Sequence, residues 1–340
     1  MSSGYDPTKN PVHDACGIGF IADGQGRRSH RVLQLGIEAL ARMAHRGAVA
    51  ADGRTSDGVG LLTQIPYPLF KRVLVREGIA PENPRDIAVG MFFLPRDSEA
   101  RKQAMKLVVD ELEALGLGHE VWRRVPTNSE VLGEVARSAE PEVWQAVLIK
   151  PSAFSASAYE RALYRARRRI ERAWHKAGLE AYAVSLSSRT LVYKGLMLAR
   201  DLAAYYPDLA DPYYQTALTL FHQRYSTNTF PAWPLAQPFR YLAQNGEINT
   251  LQGNVNWMKA REPELISQHW GEALEDLKPV VDETGSDSAI LDNVFELLVQ
   301  SGRDPLHAMM MLVPKAYENV AEVDPEVRAF FEYHASLSEP

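Results

Sequence analysis

An α+β layered fold is predicted for this 340-residue chain, and three observations carry the prediction. Short apolar runs rich in Ile, Val and Phe are interspersed with longer segments of helical periodicity. Strand and helix blocks do not follow one another in regular strand–helix–strand order, which argues against a parallel βαβ array. No internal repeat, low-complexity stretch or linker divides the chain, so a single domain is expected.

Taken in order, Cys16–Ala22 reads as a strand of Ile and Phe among small glycines. Ser29–Arg46 is a helix, with Val32, Leu35, Ala39, Leu40 and Met43 at helical spacing and Gly47 as its stop. His45–Asp57 is a polar, glycine-bearing loop of the kind that hosts sites. Gly58–Pro66 and Ile87–Leu94 are strands. Ala100–Leu115 is a helix with Ala104, Leu107, Val108, Leu112 and Leu115 on its apolar face. Strands follow at Glu120–Val125 and Val143–Lys150. Ser157–Ala177 is a helix opening on a capping box, Ser157 to Glu160, and closing at Gly178. Its basic run Arg165, Arg167, Arg168, Arg169 and Arg172 reads as a solvated or partner-facing side rather than a nucleic-acid patch. Tyr182–Leu186 and Thr190–Met197 are expected to form a hairpin. Thr216–Tyr225 and Arg240–Gln244 are further strands, and Leu251–Arg261, Ser288–Gln300 and Pro305–Leu312 are helices.

Composition narrows the function. Lys and Arg number 37 against 43 Asp and Glu, a net charge of −6, so no general attraction to nucleic acid or an anionic membrane is expected. No apolar run approaches the ~20 residues of a membrane span. A single cysteine excludes internal disulfides and Cys-ligated zinc or iron–sulfur sites, and with them no metal centre is expected. It also points to a reducing, cytoplasmic setting. Met1–Ala15 lacks the basic start and apolar core of a secretory signal and reads as a short pro-segment.

That cysteine, Cys16, is either a buried hydrophobe or a nucleophile. Polar groups concentrate in Phe221–Pro231 and Gln244–Asn249, spacing suited to gripping a small zwitterion. Arg224 offers a planar fork for a carboxylate, assisted by the Thr227 hydroxyl; the bland alternative is a structural ion pair. Asn245-Gly246 reads either as a type I′ hairpin turn or as an oxyanion hole built from an amide side chain and a backbone N–H. In Gly285–Ser288, Asp287 or Ser286 is a helix cap, or Asp287 accepts a substrate ammonium. Together these groups suit hydrolysis of an amino-acid carboxamide, and only the base is missing. Removal of residues 1–15 would supply it as the freed α-amine of Cys16, whose ordinary pKa is about 7.7–8.0.

The motifs Ala15–Phe20, His45–Ala48, Ser56–Gly60, His222–Thr229, Asn245–Thr250 and Gly285–Ser288, together and in this order, resemble the glutaminase domain of the glutamate synthase large subunit. This is a class II, N-terminal-nucleophile glutamine amidotransferase. The resemblance implies a four-layer αββα sandwich over residues 16–340, its C-terminal part expected to be missing. It implies Cys16 as nucleophile, Asn245 and Gly246 as oxyanion hole, Arg224 and Thr227 on the substrate carboxylate and Asp287 on the ammonium. Arg46, Gly47 and Asp57 fall in the flap that closes over L-glutamine. Ammonia would pass to a synthase region that carries FMN and an iron–sulfur cluster and aminates 2-oxoglutarate; no cofactor is expected in this chain. Two other expectations stand beside this one: a silent glutamine-binding or assembly module, and a class II glutaminase subunit serving another acceptor. While the leader is attached, the nucleophile is expected in place without its base.

Overall fold

The computed structural model describes residues 16–118, 120–224, 230–246, 248, 250–314, 320 and 322–338. Its strands are β1 (Gly17–Ala22), β2 (Val59–Gln64), β3 (Ile87–Leu94), β4 (Val121–Arg124), β5 (Glu142–Ile149), β6 (Tyr182–Ser187), β7 (Thr190–Gly195) and β8 (Leu218–Gln223). Its helices are α1 (His30–Arg42), α2 (Tyr67–Arg76), α3 (Ser98–Ala114), α4 (Glu134–Ser138), α5 (Ala156–Lys176), α6 (Leu202–Tyr205), α7 (Leu251–Arg261), α8 (Asp287–Gln300), α9 (Pro305–Leu312) and α10 (Pro325–Ala335).

Two antiparallel four-stranded sheets result, ordered β1-β8-β2-β7 and β4-β5-β3-β6. Every residue of β3 is buried, as a central strand covered on both faces requires. One face of the second sheet packs on α3 and α5, where Phe92 meets the Trp174 ring edge-on at 5.8 Å between centroids. Its other face shares a core with the first sheet, to which α1 and α2 contribute Leu33, Leu40, Phe70 and Leu74. Two sheets with helices on them is the expected α+β class and accords with an αββα sandwich. No helix among the described residues is long and apolar enough to cross a membrane.

Five expectations need correction. The strands at 182–187 and 190–195 are not a hairpin: β6 pairs with β3 and β7 with β2, so the chain changes sheets across Ser188-Arg189. Glu160 holds the bend, accepting from the Ser188 N–H at 2.9 Å and the Ser188 hydroxyl at 2.6 Å. Glu160 is therefore a buried acceptor and not a capping-box residue; Ser155 caps α5, accepting from Ala158 N. Arg240–Gln244 is not a strand, because the N–H groups of Arg240, Tyr241 and Leu242 all donate to the Asp292 carboxylate at 2.9–3.3 Å. The arginine run of α5 is largely taken up by ion pairs within the chain, with only Arg172 well exposed. Arg165 and Arg172 pair with Asp276, Arg167 with Glu171 and Glu296, and Arg169 with Glu111. Last, α1 ends at Arg42, and Ala44–Arg46 tightens into a separate 3₁₀ turn. Four helices escaped the sequence reading, α2, α4, α6 and α10; α2 carries a proline at its second residue and α10 opens on one.

Candidate active site

The first sheet brings Cys16, Gly58 and Arg224 to one edge. Gln223 on β8 is registered against Gly17 on one side and Val59 on the other. One residue further along each strand stand Cys16, Arg224 and Gly58, and Arg224 N–H donates to Gly58 O at 2.8 Å. Cys16 is half-buried at the mouth of β1, and Arg224 is buried. Gly58 adopts φ +142°, where a Cβ would stand 2.9 Å from the Ala236 side chain. Only glycine sits there without strain.

Residues 232–246 run over this sheet and are tied to it at several points. Lys194 of β7 donates to Pro234 O at 2.7 Å. His222 of β8 donates from Nε2 to Gln244 O at 3.0 Å. A carbonyl can only accept, so Nε2 carries the proton. Burial pushes His222 down to about 4, which keeps the ring neutral and unsuited to act as base for Cys16. Gly60, between His222 and Lys194 in the register, allows the crossing: a Cβ there would lie 2.5 Å from Gln237 O.

Asn245 and Gly246 follow on irregular, exposed backbone. Neither has positive φ, so the type I′ hairpin turn is ruled out. The helix-cap alternative also resolves. Ser286 caps α8 by accepting from Ala289 N, while Asp287 reaches back and accepts from Ile248 N at 3.1 Å. Asp287 thereby faces the stretch that carries Asn245 and Gly246.

The loop after α1 packs on the same strand ends. A Cβ on Gly17 would lie 3.2 Å from Arg46 Cβ, and one on Gly47 would lie 2.1 Å from Gln223 Nε2. The loop is organised internally by the Val49–Ser56 bridge and externally by α4. Asp52 accepts from Thr55 and Val135, and Thr55 Oγ1 accepts from Ala136 N. Those bonds, with the Thr55 hydroxyl first, hold the Asp52 carboxyl well below the usual carboxylate range.

Electrostatics link the cluster. Burial lowers the Arg224 guanidinium, opposed by Asp57, Cys16 and Asp287, which places all three within electrostatic reach of Arg224. Cys16, Arg224, Asp287 and the 245–246 backbone are thus brought to one locality, with Arg46, Gly47 and Asp57 beside them. Thr227 and the leader 1–15 lie outside the described residues. In the supporting shell, His222, Gln244 and Ser288 fall within motifs named from the sequence but were given no role of their own, and Gln237 and Asp292 were missed. Its only local signal was adjacency, since Gln244 precedes Asn245 and Ser288 follows Asp287. Among the described residues no group of three or more His, Cys, Asp or Glu side chains is placed to hold a metal ion.

Residues 16–340 match the family model for glutamine amidotransferases class-II. The chain is 45% identical over 345 residues to the glutamate synthase [NADPH] large chain of Azospirillum brasilense, covering 100% of this chain and 22% of that protein. It is 43% identical over 329 residues to the corresponding large chain of Bacillus subtilis (strain 168), covering 96% and 22%. The ferredoxin-dependent glutamate synthase of Pyropia yezoensis is 43% identical over 336 residues, again covering 96% and 22%. The chain therefore spans about a fifth of the length of these relatives.

Proposed function

The chain belongs to the class II glutamine amidotransferases, and on that premise we propose that it hydrolyses L-glutamine to glutamate and ammonia at the edge of its first sheet. The observation that carries this is the meeting of Cys16 and Arg224 at adjoining strand ends, with Asp287 acting on Arg224 across the site. Arg224, with Thr227, grips the α-carboxylate, and Asp287 accepts from the α-ammonium. The γ-carboxamide is left at Cys16.

Cys16 Sγ attacks the amide carbon as its proton passes to the α-amine of the same residue, freed by removal of residues 1–15; the family match beginning at Cys16 supports that cleavage. The carbonyl oxygen becomes an oxyanion held by the Asn245 amide and the Gly246 N–H. Collapse breaks the C–N bond, the amine returns its proton to the leaving nitrogen, and ammonia departs from a thioester. Water, deprotonated by the same amine, then attacks the thioester, and glutamate leaves Cys16 as the thiol. The loop containing Arg46, Gly47 and Asp57 closes over the bound substrate.

The relatives are named glutamate synthases, which supports delivery of the ammonia to a synthase region. One cysteine cannot supply the thiolates that an iron–sulfur cluster takes, so cluster chemistry is assigned to that region, and the resemblance assigns FMN there with it. The single cysteine supports a reducing, cytoplasmic setting. The test is glutamate release from glutamine, with the intact mass measured in parallel. Hydrolysis is expected only from protein lacking residues 1–15 and is expected to vanish in Cys16→Ala; full activity in that variant overturns the proposal.

A further inference from the structure

Three of the four polar groups of Gln244 bond within one junction. Its backbone O accepts from His222 Nε2 at 3.0 Å, and its backbone N–H donates to Gln237 Oε1 at 2.9 Å. Its side-chain Nε2 donates to Ser288 Oγ at 2.7 Å. Ser288 Oγ in turn donates to Asp287 Oδ1 at 3.1 Å and accepts a second, longer bond from Gln237 Nε2 at 3.3 Å. Gln244 Oε1 lies against Gly246, 3.3 Å from where a Cβ would stand. The partners are separated in sequence by between 7 and 51 residues, so the junction joins β8, the 232–246 segment and the first turn of α8. Ser288 and Gln237 are buried, and Ser286 already caps the helix, so the Ser288 hydroxyl is not needed as a cap.

We propose that Gln244, through Ser288, is a positioning residue that sets Asn245 and Gly246 at a fixed separation from Asp287. The inference rests on the reading of Asn245 and Gly246 as oxyanion donors and of Asp287 as the ammonium acceptor. A glutamine held by its α-ammonium has its carbonyl oxygen at a distance fixed by its own carbon chain. The donors serve the transition state only if the protein holds the same distance, and the Gln244–Ser288 bond is the direct link between the two subsites. Without it, Asn245 and Gly246 keep only the longer route through Gln237 to Ser288 and the Ile248–Asp287 bond beyond them, which leave their separation from Asp287 less closely set.

Gln244→Met keeps the unbranched shape and removes the donor; Ser288→Ala removes the hydroxyl. In protein lacking residues 1–15 each is expected to lower kcat for glutamate release by about 10- to 100-fold with KM changed by less than about threefold, the pattern of a contact that matters in the transition state. The double variant should fall no further than either single one, because both interrupt the same link. Ser288→Thr retains the hydroxyl and should recover most of the rate. Alkylation of Cys16 by iodoacetamide, followed by peptide mass, should proceed at the parent rate in all of them, which separates displaced donors from a lost fold. Parental kcat in Gln244→Met and Ser288→Ala, with hydrolysis abolished in Cys16→Ala, overturns the positioning role and leaves the active-site reading standing. Cys16 alkylation falling in proportion to kcat also overturns it, since the loss is then one of folded site. Undiminished hydrolysis by Cys16→Ala overturns the underlying reading instead.

Discussion

Gly60→Ala tests how the segment carrying the proposed oxyanion donors, Asn245 and Gly246, is seated. The added methyl would stand 2.5 Å from Gln237 O and 2.7 Å from Lys194 Cβ. Lys194 cannot yield, because β7 is held in register with β2 at this very pair. Gln237 O must therefore retreat; ordinary contact begins at 3.4 Å, so the shortfall is about 0.9 Å. Gln237 also anchors Gln244, so the displacement is transmitted to Asn245 and Gly246. Overpacking of this kind costs about 1–3 kcal/mol of stability. A displacement near 1 Å at reacting groups costs on the order of 100-fold in rate. Thermal melting should fall by several degrees, and glutamate release by far more than the loss of folded protein explains. Gly24→Ala is the control: nothing lies within 4 Å of its Cβ and its backbone is not in the left-handed region. If Gly60→Ala retains the parent's kcat and melting temperature, the crossing of the 232–246 segment over β2 is not as close as described.

Three other perturbations probe separate parts. Arg224→Lys keeps the charge but loses the planar fork, and KM for glutamine is expected to rise by about 10- to 100-fold in steady-state assays. Gly133→Ala would place a methyl 2.3 Å from Asp52 Oδ2 and 2.4 Å from Thr55 Oγ1, detaching the 44–58 loop from α4. Faster proteolytic cutting within that loop and a raised KM are expected, and an unchanged digestion pattern would count against the latch. Glu296 lies among Arg167, Arg240, Glu171 and Asp292, and burial raises it from 4.5 to about 7. Because the folded state holds this proton to higher pH than the unfolded one, its contribution to stability is fully present below about pH 4.5 and lost as pH rises through 7. Glu296→Gln should flatten the decline in stability between pH 5 and about 8 in denaturant titrations; an equal slope in both proteins refutes the assignment.

Much of the site was legible in the sequence because its groups sit beside unusual neighbours. Cys16 opens a strand of small and apolar residues, Asn245-Gly246 and Gly285–Ser288 carry turn and cap chemistry, and Arg224 stands at the end of an apolar run. For the last two pairs the local signal was ambiguous, and each ambiguity was resolved by something distant. The backbone at 245–246 does not turn as a hairpin, and Ser286 takes the cap so that Asp287 can bond Ile248. His222 is a buried core histidine, yet its bond to Gln244 O makes it a support of the candidate site.

The sequence by itself determined which segments bury an apolar face: Ile87–Leu94, Leu251–Arg261 and Pro305–Leu312 have the bounds their patterns predict. It also determined the residue types that define the chemistry. Tertiary structure alone decided partnership. Five of the six residues in β6, and five of six in β7, are buried, so alternation no longer marks a face and two strands joined by two residues divide between sheets. The arginines of α5 found their carboxylates up to 129 residues away, and the three N–H groups of residues 240–242 found Asp292 about 50 residues on. Periodicity reports that a surface is covered; which surface covers it depends on contacts that a local pattern does not contain.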